Sequence, residues 1–128
     1  MRLLLDTHAL IWWLAADQAL PSTARDAIAD PSNDVFVSAA SAWEIATKHR
    51  IGKLPEAGLL AADVAGFVSE QGFVELPVVI RHGQLAGSLP SIHKDPFDRI
   101  LVAQAILADM QLVSRDEILS AYGIARLW

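Results

Sequence analysis

Four acids carry the chemistry this chain is equipped to do: Asp6, Glu44, Asp98 and Asp116. Asp6 ends the apolar run "RLLL", and Asp116 lies just beyond the apolar run "QLV" and Ser114. Glu44 and Asp98 fall inside segments patterned as helices. Asp98 is the most demanding of the four. Leu101, Val102 and Ala105 follow it at i+3, i+4 and i+7, so it heads an apolar row, where a charge is costly to bury without a cation or a donor. Carboxylates gathered in one cleft repel, and some must protonate or take up a cation. A hard divalent ion, Mg²⁺ or Mn²⁺, accepts oxygen ligands and keeps several waters. Such an ion acidifies bound water and stabilises charge on a phosphoryl group, the chemistry of phosphodiester cleavage.

Each acid taken alone has a plainer role. Asp6 fits the N-cap of a helix starting at Thr7. Glu44 fits an i,i+4 pair with Lys48. Asp116, with Glu117, fits the start of a short helix. Asp95 precedes Pro96, which is favoured at the first helical position, so Asp95 reads as an N-cap that supports the site from beside it. Capping does not require all four acids at one edge of the molecule, so the chemical reading depends on the elements that position them.

Those elements alternate. Arg2–Leu5 reads as a buried strand and Thr7–Asp17 as a helix with Leu10, Trp13 and Leu14 on one side. A second helical stretch is "STARDAIAD", with Ser22 as its cap. Val35–Ser38 is β-branched and aromatic, hence a strand. "AASAWEIATKHRI" is helical to Ile51, with Gly52 as its stop. One helix is expected over Gly58–Glu70, a short strand at "FVELP", and a weak helix at "RHGQLAGSL". A long helix, Pro96–Ala108, leads into a strand ending near Ser114. The tail gives a helical turn and a final strand. This order implies right-handed crossovers, an α/β fold with a central, mainly parallel sheet covered on both faces, and one domain over residues 1–128. Ligands of such sheets bind outside the carboxyl ends of the strands. Asp6 and Asp116 then share that edge, and the helices bearing Glu44 and Asp98 start from it.

Composition narrows the classes. The 128 residues are 53% hydrophobic and 20% charged, as in a compact folded domain. The chain has no cysteine, which excludes disulfides and thiolate metal sites and suits a reducing cytoplasm. Asp6 and His8 interrupt the apolar start, so it does not read as a signal peptide, and nothing reads as a membrane span. A net charge of −5 disfavours a general nucleic-acid coat.

"LLLDTHALIWWL", "SAASAWEIATKHRIGKL", "HKDPFDRILVAQA" and "LVSRDEIL", in this order, resemble a PIN-domain ribonuclease of the VapC type, the toxin of bacterial toxin–antitoxin pairs. The resemblance spans nearly the whole chain. It implies a three-layer α/β/α PIN-like domain and a Mg²⁺- or Mn²⁺-dependent endoribonuclease acting in the cytoplasm on structured RNA of the translation machinery. It places the family's four acidic positions, catalytic and metal-holding, on Asp6, Glu44, Asp98 and Asp116. Ser114 falls on an accompanying hydroxyl position. It further implies a homodimer and a small VapB-type antitoxin. The chain departs from the pattern at "SRD", where Thr-x-Asp is more usual.

Lys48, Arg50 and Lys53 lie in the dense basic stretch after Glu44 and, with Arg99, are the expected contacts to RNA phosphates. The alternative for the stretch is a solvated helix end complementing the dipole. Arg115, like Arg99, adjoins an acid and is suited to orienting a carboxylate or phosphate. His8 and His93 suit proton transfer, or a structural role. Trp12 and Trp13 are about 100° apart on a helix, so both cannot face one core squarely. Trp43 is expected in the core. Two rivals remain. A phosphatase built on an aspartate nucleophile at the end of the first strand wants a second acid two residues later, and His8 stands there. A catalytically silent PIN fold that only binds its antitoxin or RNA keeps the same motifs without turnover.

Overall fold

The computed structural model describes all 128 residues. Five parallel strands form one sheet: β1 (Arg2–Leu5), β2 (Asp34–Ser38), β3 (Val74–Leu76), β4 (Gln111–Val113) and β5 (Arg126–Leu127). Their spatial order is β3-β2-β1-β4-β5. The chain therefore steps outward from β1 to β3, then crosses to the other side of β1. Between β1 and β4 the direction of winding reverses, which leaves a crevice beyond their carboxyl ends.

The run Leu3-Leu4-Leu5 is wholly buried because helices cover both faces of the sheet. Side chains alternate across the pleat. Leu3 and Leu5 join Val35, Val37 and Val113 in one core with α1 (Thr7–Leu14), α2 (Ser22–Ala29) and α3 (Ala39–Arg50). Leu4 and Leu112 face the other core, with Leu101, Val102 and Ala105 of α7 (Pro96–Ala108). Asp95 caps α7 by accepting from the Asp98 N–H at 3.0 Å, with Pro96 in its first turn. The helix ends at Asp109, which takes the left-handed conformation at φ 53°.

Four expectations need correction. The first helix stops at Leu14, short of Asp17: Ala16 turns left-handed (φ 51°), and the Asp17 and Ala16 N–H groups close back on the Trp12 and Trp13 carbonyls. The helix expected over 58–70 is a 3₁₀ turn at Pro55–Ala57 followed by α4 (Gly58–Ala62) and α5 (Val64–Glu70). Asp63 breaks it by turning its carboxylate onto the Gly66 N–H at 2.9 Å. Trp43 is 64% exposed rather than core, and packs edge-on against Phe97.

Arg99 is the fourth. The weak helix is α6 (Ile80–Ser88), packed against α7. The Arg99 guanidinium reaches from α7 to the carbonyls of Ala86, Leu89, Pro90 and His93, at 2.7–3.1 Å. Its donors are thereby spent on the frayed end of α6 and the loop behind it, and none is left for a phosphate. Arg99→Gln should lower stability by about 3 kcal/mol or more, since several carbonyls lose a charged donor together. Arg99→Lys should recover little, because an ammonium lacks the planar fork. Urea denaturation reads both; a midpoint unchanged in Arg99→Gln would return this residue to the pool of RNA contacts.

Candidate metal-dependent nuclease site

Each acid reaches the crevice from its own element. Asp6 directly follows β1 and caps α1, accepting from the Ala9 N–H at 2.8 Å. Asp116 follows β4 beyond the buried Ser114, whose Oγ accepts from the Asp116 N–H at 3.1 Å. Asp98 looks out from the first turn of α7. These three line a cleft of about 390 Å³ with His8, Trp12, Arg115 and Glu117. Glu44 stands behind that lining, almost fully buried on α3. Its carboxylate accepts from Thr7 Oγ1 at 2.5 Å and pairs with Lys48. The ammonium of Lys48, expected at an RNA phosphate, pairs with Glu44 through one of its three N–H donors, the plainer i,i+4 arrangement. Arg50 and Lys53 remain exposed.

His93 is the site residue the sequence left undecided. Its Nε2 lies 2.8 Å from Asp98 Oδ2 and 3.8 Å from Asp116 Oδ2. The only advance signal was its place five residues before Asp98 in "HKDPFD".

A model of the PIN domain matches residues 3–125. The chain belongs to the PIN domain family. Among solved structures it is similar to VapBC2 from Rickettsia felis bound to a DNA fragment from its promoter: TM-score 0.69, 14% identity, 98% of this chain and 97% of that one. VapBC-1 from nontypeable Haemophilus influenzae gives 0.67 at 12% identity, over 98% and 96% of the two chains. The PIN domain endonuclease Utp24 gives 0.53 at 12% identity, over 94% and 75%. No curated protein matches at the level of sequence.

Gathering acids in this PIN domain perturbs them. Burial raises the pKa of Asp98 to about 6, helped by the charges of Asp95, Asp6 and Glu44 and opposed by the His93 hydrogen bond. Asp6 is raised as well, chiefly by burial, against hydrogen bonds from Ser114 and Ala9. For Lys48, burial pushes downward, but the bond and charge of Glu44, with Asp95 and Asp98, leave its pKa raised. The cleft is thus short of positive charge at Asp98 and Asp6. Ligand atoms of His93, Asp98 and Asp116 all lie within 4.8 Å of one another. That donor set fits a divalent cation.

The Asp98 shift has a pH signature. A carboxyl with a pKa near 3.8 unfolded and about 6 folded binds more protons when folded, so it lowers stability as pH rises through that window. In metal-free buffer, Asp98→Asn should melt close to wild type near pH 4. It should gain an advantage on the order of 1–2 kcal/mol by pH 7. A difference that does not change with pH would show that Asp98 is not strained.

Proposed function

We propose that this PIN domain is a Mg²⁺- or Mn²⁺-dependent endoribonuclease toxin that cleaves structured RNA of the translation machinery in the cytoplasm. A small VapB-type antitoxin silences it, and it works as a homodimer. The observation that carries this reading is the convergence of Asp6, Asp98 and Asp116 on one cleft at the winding reversal, with Glu44 buried behind them. Placement at that crevice is where open α/β sheets bind ligands, and packing does not require it. The likeness to VapBC structures supports the antitoxin, and the likeness to the Utp24 endonuclease supports cleavage.

In this reading Asp98, Asp116 and Asp6 hold the cation, with His93 within reach of the first two. When bound, the cation supplies Lewis-acid charge that activates water and steadies the phosphoryl group. The chain's own groups do the positioning. Ser114 fixes the backbone of Asp116, and Asp95 fixes the N–H of Asp98. Thr7 and Lys48 fix the Glu44 carboxylate in place behind Asp6 and Asp98. Arg50 and Lys53, exposed at the end of α3, are the proposed phosphate contacts outside the cleft.

Purified protein should cut a structured RNA with Mn²⁺ and leave it intact with EDTA. Asp6→Asn and Asp98→Asn should each lower the rate by about a hundredfold or more, since each removes charge the cation needs. Asp95→Asn should be milder, because Asn also caps well. RNA bound but never cut, whatever the metal, would favour the silent binding module instead.

A further inference from the structure

The cleft has two unlike walls. One is acidic. The other is built on Trp12, whose ring centroid lies 5.4 Å from His8, 5.8 Å from Trp128 and 5.1 Å from the Arg115 guanidinium carbon. The Arg115 guanidinium lies over the indole ring, and the tilted His8 and Trp128 rings pack against that indole.

What sets Arg115 apart from Lys48, Arg99 and Arg126 is that its guanidinium makes no hydrogen bond or ion pair. Lys48 is committed to Glu44, and Arg99 to backbone carbonyls. Arg126 is held by Ser120 Oγ and the Ser114 carbonyl. Arg115 directly precedes two acids, Asp116 and Glu117, yet forms no ion pair with either. It is the one permanent cation lining the cleft. A polyanion entering a chain of net charge −5 meets repulsion, so a local cation decides whether a phosphate can approach the acids. A guanidinium held over an indole by cation–π attraction, with no hydrogen bond of its own, keeps its donors for bidentate contact with phosphate oxygens.

We propose that Arg115, seated on Trp12, grips a backbone phosphate of the RNA substrate inside the acid-lined cleft. This rests on the nuclease reading above and adds the group that sets the strand against the acids. Trp12 acts through Arg115, as the platform that fixes the plane of the fork.

The test is RNA binding rather than turnover. Asp98→Asn protein, with Mn²⁺ present, is titrated into a labelled RNA hairpin at several salt concentrations, with and without Arg115→Gln or Arg115→Lys. Arg115→Gln should weaken binding about tenfold, as for one lost charge-assisted contact. It should also flatten the logarithmic salt dependence by roughly 0.7–0.9, the value of one phosphate. Arg115→Lys should restore the salt slope but only part of the affinity, since it keeps the charge and loses the fork. If the hairpin binds and Arg115→Gln changes neither affinity nor slope, the grip is wrong and the nuclease reading stands. Tighter Mn²⁺ binding in Arg115→Gln with RNA affinity unchanged would likewise overturn it, making Arg115 only a counter-charge to the acids. If neither the Asp98→Asn protein nor wild type loaded with Ca²⁺ binds the hairpin, the nuclease reading falls and takes the grip with it.

Discussion

Burial of carboxylates at the carboxyl ends of β1 and β4, with their mutual repulsion added, is the constraint around which this molecule is arranged. Below that edge the sheet is ordinary: a leucine run buried on both faces, with α7 on one side and α1 to α3 on the other. At the edge, burial and neighbouring negative charge drive Asp98 to about 6 and raise Asp6. A fold selected for stability alone has no reason to bring these groups together. The local devices around them soften the cost without removing it. Asp6 takes the Ala9 N–H, Glu44 takes Thr7 and Lys48, Asp98 takes His93, and Asp116 takes the Ile118 N–H at 3.3 Å. Each acid therefore has a structural partner, and Asp6 and Asp98 are still perturbed, which is the state a cation would relieve.

What could be read from the sequence follows from how local each signal is. The strands were legible because β-branched and leucine runs bounded by turn residues have few other uses, and the start of α7 because Asp-Pro is a short-range rule. The break at Asp63 was not. Both halves have helical composition, and the choice between a continuous helix and a capped restart depends on one side chain turning to the Gly66 N–H. Trp43 misled for a related reason. Size and apolarity favour burial on average, but α3 gives its inner face to Ile45 and Glu44, which leaves Trp43 on the rim beside Phe97.

The cations show where sequence adjacency stops being informative. Lys48, Arg99 and Arg115 all stand close in the chain to an acid or to the motif that bears one. In space they do three different things. Lys48 neutralises Glu44. Arg99 turns away from Asp98 to gather carbonyls of α6 and its following loop. Only Arg115 reaches the cleft with its donors unspent. The i,i+4 spacing offered the Lys48 pair, but nothing in a linear string separates the other two outcomes, because they are decided elsewhere in the fold: by the end of α6 for Arg99, and by Trp12 for Arg115.

The loop from Pro90 to Arg99 shows how such distant decisions combine into precision. The His93 N–H donates to Tyr122 Oη at 3.0 Å, and Tyr122 Oη also donates to the Pro90 carbonyl at 3.1 Å. From the other side, Arg99 holds the carbonyls of Pro90 and His93. His93 is thus pinned at both its N–H and its carbonyl before its ring meets Asp98. Two residues on, Asp95 closes the helix start that aims Asp98 at it. A side chain whose backbone is fixed at both ends loses little further freedom when it takes a ligand, so binding need not order it. The motif spanning His93 to Arg99 is therefore one mechanical unit. Its acid and imidazole face the cleft, and its aspartate cap and arginine brace hold them there.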